Sequence, residues 1–207
     1  MASIYFILDR SGSMETCQFD TIRGFNSFVK SQDRTCNMSL FLFNNHLETV
    51  YLKKPIGEVQ DLTMKTFRPM GGTALFDAIG KVISFAEDHD TTRWADLDEG
   101  VSNIIVVMTD GHENSSESYT KSQIRDLVTL KQAVGWKFMF LGANQDAILA
   151  AKNIGICHDS AMTFSMENVT DVMSSASSAI SRCIMGETQD IQFTQNERLA
   201  SLGMDFM

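Results

Sequence analysis

Asp9, Ser11 and Ser13 place three hard oxygen donors at alternate positions of one short stretch, Asp9-Arg10-Ser11-Gly12-Ser13. Donors so spaced can converge on one hard cation such as Mg²⁺, which prefers about six oxygens in an octahedron. Two further oxygen-bearing residues stand far along the chain: Thr73, after Gly71-Gly72, and Asp110, before Gly111. Each has a simpler structural explanation. Ser11, Gly12 and Ser13 are good turn residues, Asp110-Gly111 is a common turn, and Thr73 is placed to cap a helix. A metal site requires the fold to bring all five to one place.

The flanking elements are suited to doing so. Asp9 follows Ile4 to Leu8, an aromatic and β-branched run that reads as a buried strand. Asp110 follows Val101 to Met108, the most hydrophobic run in the chain, which reads as a central strand buried on both faces. Between them, Phe19, Ile22, Phe25, Phe28 and Val29 predict a helix from about Glu15 to Ser31. Met38 to Asn44 and Glu48 to Leu52 are too close in sequence for a crossover and predict an antiparallel hairpin. Leu75, Ile79, Val82 and Ala86 step along one face of a helix that starts at Thr73, and Glu87 to Gly100 reads as a surface loop.

Beyond Asp110 the alternation continues. Thr120 and Gln123 have capping-box spacing for a helix that stops at Gly135. Trp136 to Leu141 is a strand, followed by a short helix through Lys152 and a weak strand from Ala161 to Phe164. Ser165 caps a helix whose stripe is Val169, Val172, Met173, Ala176, Ala179, Ile180 and Cys183. This order predicts a three-layer α/β/α sandwich, Rossmann-like, whose six-stranded sheet is mostly parallel with one antiparallel edge strand. Residues 1–185 form that domain, and 186–207 a C-terminal appendage with a short helix opened by Thr194 and Glu197. The first and central strands should be neighbours where connections leave to opposite faces, which is where open α/β sheets bind ligands.

Composition narrows the partners. Seventeen Lys and Arg against 26 Asp and Glu give a net charge of −9, with no basic run longer than Lys53-Lys54. Such a chain repels phosphate backbones and acidic membrane surfaces, so neither nucleic acid nor membrane is an expected partner. Cys17, Cys36, Cys157 and Cys183 are widely spaced, as reduced thiols would be. No apolar run approaches the roughly 18 residues of a membrane span, and the N-terminus lacks a signal-peptide pattern. A cytoplasmic location is expected.

Taken together, Asp9-x-Ser11-x-Ser13, Thr73 and Asp110, with the flanks Gly71-Gly72-Thr73-Ala74-Leu75 and Met108-Thr109-Asp110-Gly111, resemble the von Willebrand factor A (vWA) domain and its metal-ion-dependent adhesion site. The resemblance covers roughly Ala2 to Arg182. Leu141 to Asp146 also resembles small stand-alone vWA proteins of phages and bacteria. The family's arrangement implies that Ser11 and Ser13 ligate Mg²⁺ or Mn²⁺ directly. Asp9, Thr73 and Asp110 then contribute directly or through water. It implies the vWA fold and a divalent-cation-dependent protein-binding module, not an enzyme, whose ion accepts a Glu or Asp carboxylate from a partner protein. Arg10, Gly72, His112, Glu113, Asn144 and Asp146 would form the rim that the partner meets.

Other readings of the same residues exist. His112 or Glu113 could serve as base in a metal-dependent hydrolase acting on a phosphate or acyl substrate, or be solvated loop residues. Asn144 and Asp146 could cap the following helix. A hydrolase would also need an oxyanion stabiliser, and no G-x-S-x-G elbow occurs. Nucleotide binding lacks its phosphate cradle, since neither G-x-G-x-x-G nor G-x-x-x-x-G-K-[ST] is present.

Overall fold

Apolar residues alternate onto both faces of β1 (Ser3–Asp9) and β4 (Asn103–Thr109), and only the middle of a covered sheet buries both faces of a strand. In the computed structural model, which describes residues 2–89, 103–143 and 147–203, these strands pair in parallel with Leu8 opposite Met108. Ile4, Phe6 and Leu8 enter one core while Tyr5 and Ile7 enter the other. The sheet has six strands in the order β3-β2-β1-β4-β5-β6. Here β2 is Asn37–Phe43, β3 Leu47–Pro55, β5 Lys137–Ala143 and β6 Ala161–Phe164. The β2–β3 hairpin is antiparallel and every other pairing parallel, as the short connection requires.

One face is covered by α1 (Gln18–Ser31) and α5 (Val169–Ile184), the other by α2 (Leu75–Asp88), α3 (Lys121–Ala133) and α4 (Ala147–Asn153). Phe6 anchors the first core, its ring meeting those of Phe25 and Phe28 edge-on at 5.2 Å each. The chain leaves β1 for the α1 face and β4 for the opposite face. The crevice between those exits is the switch point of the sheet. Asp9 and Asp110 stand at it.

Several details depart from the sequence expectation. The helix expected from Glu15 is two pieces, a 3₁₀ segment at Gly12–Cys17 and then α1. Tight 3₁₀ winding follows from the turn at Ser11, whose carbonyl accepts from the Met14 N–H at 3.1 Å. Phe19, expected on the buried stripe, is 66% exposed. Phe25, Phe28 and Val29 are buried as expected, and Thr21 and Gly24 join them, because Gly24 lets α1 close on α5: a β-carbon there would lie 3.0 Å from Met173. Glu87 and Asp88 belong to α2 and His89 follows as its C-cap, while the rest of the expected loop, 90–100, lies outside the described residues.

Both capping boxes form, Thr120 with Gln123 and Thr194 with Glu197, the latter opening α6 (Gln195–Ser201). Ser165 caps a 3₁₀ turn, Met166–Asn168, which leads into α5. After α5 the chain folds back: Ile191 and Phe193 are buried in the α1/α5 core, and Arg182 grips Glu197 with both terminal nitrogens at 2.9 Å. Cys17, Cys36 and Cys183 are buried free thiols, and Cys157 is exposed. Burial pushes Cys17 up to about 11 and raises the other two buried thiols as well. Among the described residues no helix is long and apolar enough to cross a membrane.

Candidate metal centre

Parallel pairing brings Asp9 and Thr109 out of the sheet side by side. Asp9 is fully buried, and its carboxylate is held at both oxygens. Oδ1 accepts from the Ser11 N–H at 2.7 Å and Oδ2 from the Thr109 hydroxyl at 2.5 Å. The Ser13 hydroxyl donates to Asp110 Oδ1 at 2.8 Å and lies 3.2 Å from Ser11 Oγ. Thr73 closes the group. A β-carbon built on Gly111 would sit 3.0 Å from Thr73 Oγ1 and 3.8 Å from Ser13 Oγ, so both hydroxyls crowd the same glycine. The structure thus brings Asp9, Ser11, Ser13, Thr73 and Asp110 together.

Backbone hydrogen bonds fix this geometry. The Met70 N–H donates to the Arg10 carbonyl at 2.8 Å and the Gly12 N–H to the Gly71 carbonyl at 3.0 Å, which lays the Gly-Gly loop against the Asp9 turn. Gly71 takes φ +77°, a left-handed conformation that glycine adopts without strain. Across the crevice Thr73 and Asn114 exchange two bonds: the Thr73 N–H donates to Asn114 Oδ1 at 2.9 Å and the Asn114 N–H to the Thr73 carbonyl at 3.0 Å.

The electrostatics ask for a cation. Burial pushes Asp9 up to about 6, against the lowering effect of the Thr109 and Ser11 hydrogen bonds, and the Asp110 charge raises it further. Burial also raises Asp110, opposed by Ser13. Two carboxyls whose ionisation is opposed by burial, beside three hydroxyls, make an all-oxygen donor set that fits a hard divalent ion. Among the described residues no three His, Cys, Asp or Glu side chains gather, so the donor set contains no imidazole or thiolate cluster of the zinc type.

A family model for the von Willebrand factor type A domain matches residues 3–178. The chain belongs to this family. Among solved structures, the vWA chain is similar to proximal thread matrix protein 1 of the mussel byssus, with a TM-score of 0.59 and 16% identity over 84% of this chain and 46% of that one. The mussel protein has also been solved with a zinc-occupied MIDAS motif. Manganese-loaded TRAP of Plasmodium vivax is similar at TM-score 0.57 and 15% identity, over 82% of this chain and 70% of that one. The ArnB paralog VWA2 of Sulfolobus acidocaldarius is similar at TM-score 0.58 and 18% identity, over 86% of this chain and 44% of that one. The chain spans less than half the length of the first of these structures, and likeness at such identity is a likeness of fold. No curated protein sequence matches.

In this vWA domain the expected rim residues separate. Gly72 lies in the site's wall, its N–H bound to Asn45 Oδ1 at 2.7 Å. His112 is exposed beside the site. Arg10 turns its guanidinium toward β3, pairing with Glu48 at 2.6 Å. Glu113 faces α2, where its carboxylate accepts from the N–H groups of Phe76, Ser115 and Ser116 and from the Ser116 hydroxyl, at 2.7–2.9 Å. It thereby caps the helix that Thr73 was expected to cap; the cap position is Ala74 and carries no side-chain bond. Asn144 and Asp146 lie outside the described residues.

Four supporting residues escape a reading of the sequence. Thr109 orients Asp9, Asn45 and Asn114 hold the Gly72-Thr73 loop, and Asp77 accepts from the Ser118 and Tyr119 N–H groups at 2.9 Å each. Thr109 had a signal, a hydroxyl at the end of an otherwise apolar strand. The others act across the fold and had none.

Proposed function

We propose that Asp9, Ser11, Ser13, Thr73 and Asp110 hold one Mg²⁺ or Mn²⁺ ion, through which the domain binds a Glu or Asp side chain of a partner protein. Neutral hydroxyls leave much of the ion's charge unbalanced, so a bound cation would present an electrophilic position suited to a hard anionic oxygen. The observation that carries this reading is the 2.8 Å hydrogen bond from Ser13 to Asp110, which joins donors 97 residues apart in one cluster. Calorimetry with Mg²⁺ and Mn²⁺, on the parent and on Asp110→Ala, is the test. Affinity in the parent and its loss in the variant support the proposal. A parent that binds neither ion refutes it.

The reading is of a binding module, not an enzyme. The hydrolase alternative needs a free base: of its two candidates, Glu113 accepts about as many hydrogen bonds as a carboxylate has lone-pair positions, which leaves His112, exposed on the loop. Free buried thiols favour a reducing compartment such as the cytoplasm, in keeping with the likeness to small phage and bacterial vWA proteins. The net charge of −9 argues against nucleic acid and anionic membrane as partners. Residues 186–207 are read as an appendage to the domain, bracing α5 through Arg182 and Glu197.

A further inference from the structure

Gly111 borders two spaces. Toward Thr73 Oγ1 and Ser13 Oγ it closes the oxygen cluster, and it also lines a cavity of about 200 Å³ between α2, α3 and α4. Its apolar wall is Leu75, Phe140 and Ile154, each at most 5% exposed, with Ala150 on the α4 side, and the polar His112 and Asn153 also line it. A cavity of about 150 Å³ is large enough for a benzene ring, so by volume this one has room for a leucine or phenylalanine side chain. One cation and one carboxylate stand among its lining residues. Lys121 lines it, and the one carboxylate among its lining residues, Glu113, already accepts four hydrogen bonds.

We propose that the cavity is a specificity pocket for the partner's acidic segment: a large apolar side chain, within two residues of the metal-bound carboxylate, fills it. The proposal rests on the metal-dependent binding proposed above. Side chains two apart in an extended segment point the same way, about 7 Å from each other, which suits two neighbouring openings that share Gly111 as a wall. The acid supplies metal dependence and the apolar residue supplies selectivity, since burying a Leu or Phe is worth about tenfold or more in affinity.

The test uses fluorescent Gly/Ser peptides carrying one Glu or Asp, with Leu or Phe at each position within two residues of it or with no apolar residue, measured by anisotropy in Mg²⁺ and in EDTA. The best acid-plus-apolar peptide should bind about tenfold or more tightly than its acid-only partner in Mg²⁺, and both should dissociate in EDTA. Ala150→Phe, which fills the cavity from α4, should remove that preference while leaving Mg²⁺ affinity by calorimetry unchanged. Ala150→Leu offers a milder filling if circular dichroism shows that Phe disturbs the fold. Metal-dependent binding that ignores the apolar residue, or a preference that survives the filled cavity, overturns the pocket but not the metal site. No Mg²⁺-dependent binding by any peptide overturns the pocket together with the carboxylate binding on which it rests, while calorimetry reads the ion's own affinity separately.

Discussion

Asp9→Asn should make the metal-free protein more stable at neutral pH while destroying its response to Mg²⁺. The native carboxyl keeps its proton up to about 6, whereas the unfolded chain loses it near 3.8. Between those values the folded state binds more protons, so stability falls as pH rises through the window, and the full penalty persists above it. At about 1.4 kcal/mol per pH unit, the interval from 3.8 to about 6 amounts to roughly 3 kcal/mol. The amide removes that penalty and can keep the local bonds. Its oxygen accepts from the Ser11 N–H, and its nitrogen donates to Thr109 Oγ1, whose own hydrogen turns to the Gly111 carbonyl at 3.2 Å. Urea unfolding followed by fluorescence of the buried Trp136, in EDTA from pH 4 to 7.5, measures both proteins. The two should converge at the acid end and separate by up to roughly 3 kcal/mol above pH 6, with the variant favoured. Saturating Mg²⁺ should recover about as much for the parent, since roughly a hundredfold excess over Kd adds about 2.7 kcal/mol, and nothing for the variant. A variant less stable than the parent at pH 7.5, or parallel pH profiles, would refute the account of Asp9.

Glu113→Ala removes four hydrogen bonds at the start of α2 and should cost about 1–3 kcal/mol in urea unfolding, with weaker Mg²⁺ binding because the loops carrying Thr73 and Asp110 loosen together. Gly72→Ala should lower stability by about 1–3 kcal/mol and shift metal titrations to higher concentration. Its β-carbon would sit 2.3 Å from Ser115 Oγ and 2.9 Å from Asn114 Oδ1. Phe6→Ala, which takes away the ring between Phe25 and Phe28, should cost about 3–5 kcal/mol in thermal or urea unfolding. Arg182→Met breaks the paired bonds to Glu197 and the bond to the Gln192 carbonyl; limited proteolysis should then cut residues 187–203 sooner than in the parent.

The features legible in the sequence are those that neighbouring residues determine. The unbroken apolar runs Ile4 to Leu8 and Ile104 to Met108 sufficed for two central strands, because covering both faces demands apolar residues at every position. The capping boxes at Thr120 and Thr194 are four-residue patterns and formed as spaced. The grouping of the five oxygen donors was legible because each follows a strand or a glycine pair whose destination is the same sheet edge. What long-range packing decides was not legible. Phe19 fits a helical stripe, yet the approach of α1 to α5 at Gly24 rotates it outward. Thr73 fits a helix cap, yet the cap arrives from Glu113, 37 residues beyond the N–H it accepts from. No local pattern marks an acid that reaches back to an earlier helix.

The placement of the four thiols also has a practical outcome. With three of them sealed in one core and kept protonated, only Cys157 stands where reagents can reach it. Air oxidation of the folded protein should therefore join two molecules through that position and leave each interior unaltered. For the same reason a single maleimide dye or surface tether attaches at one defined point, beyond α4 and with no other cysteine to be blocked first.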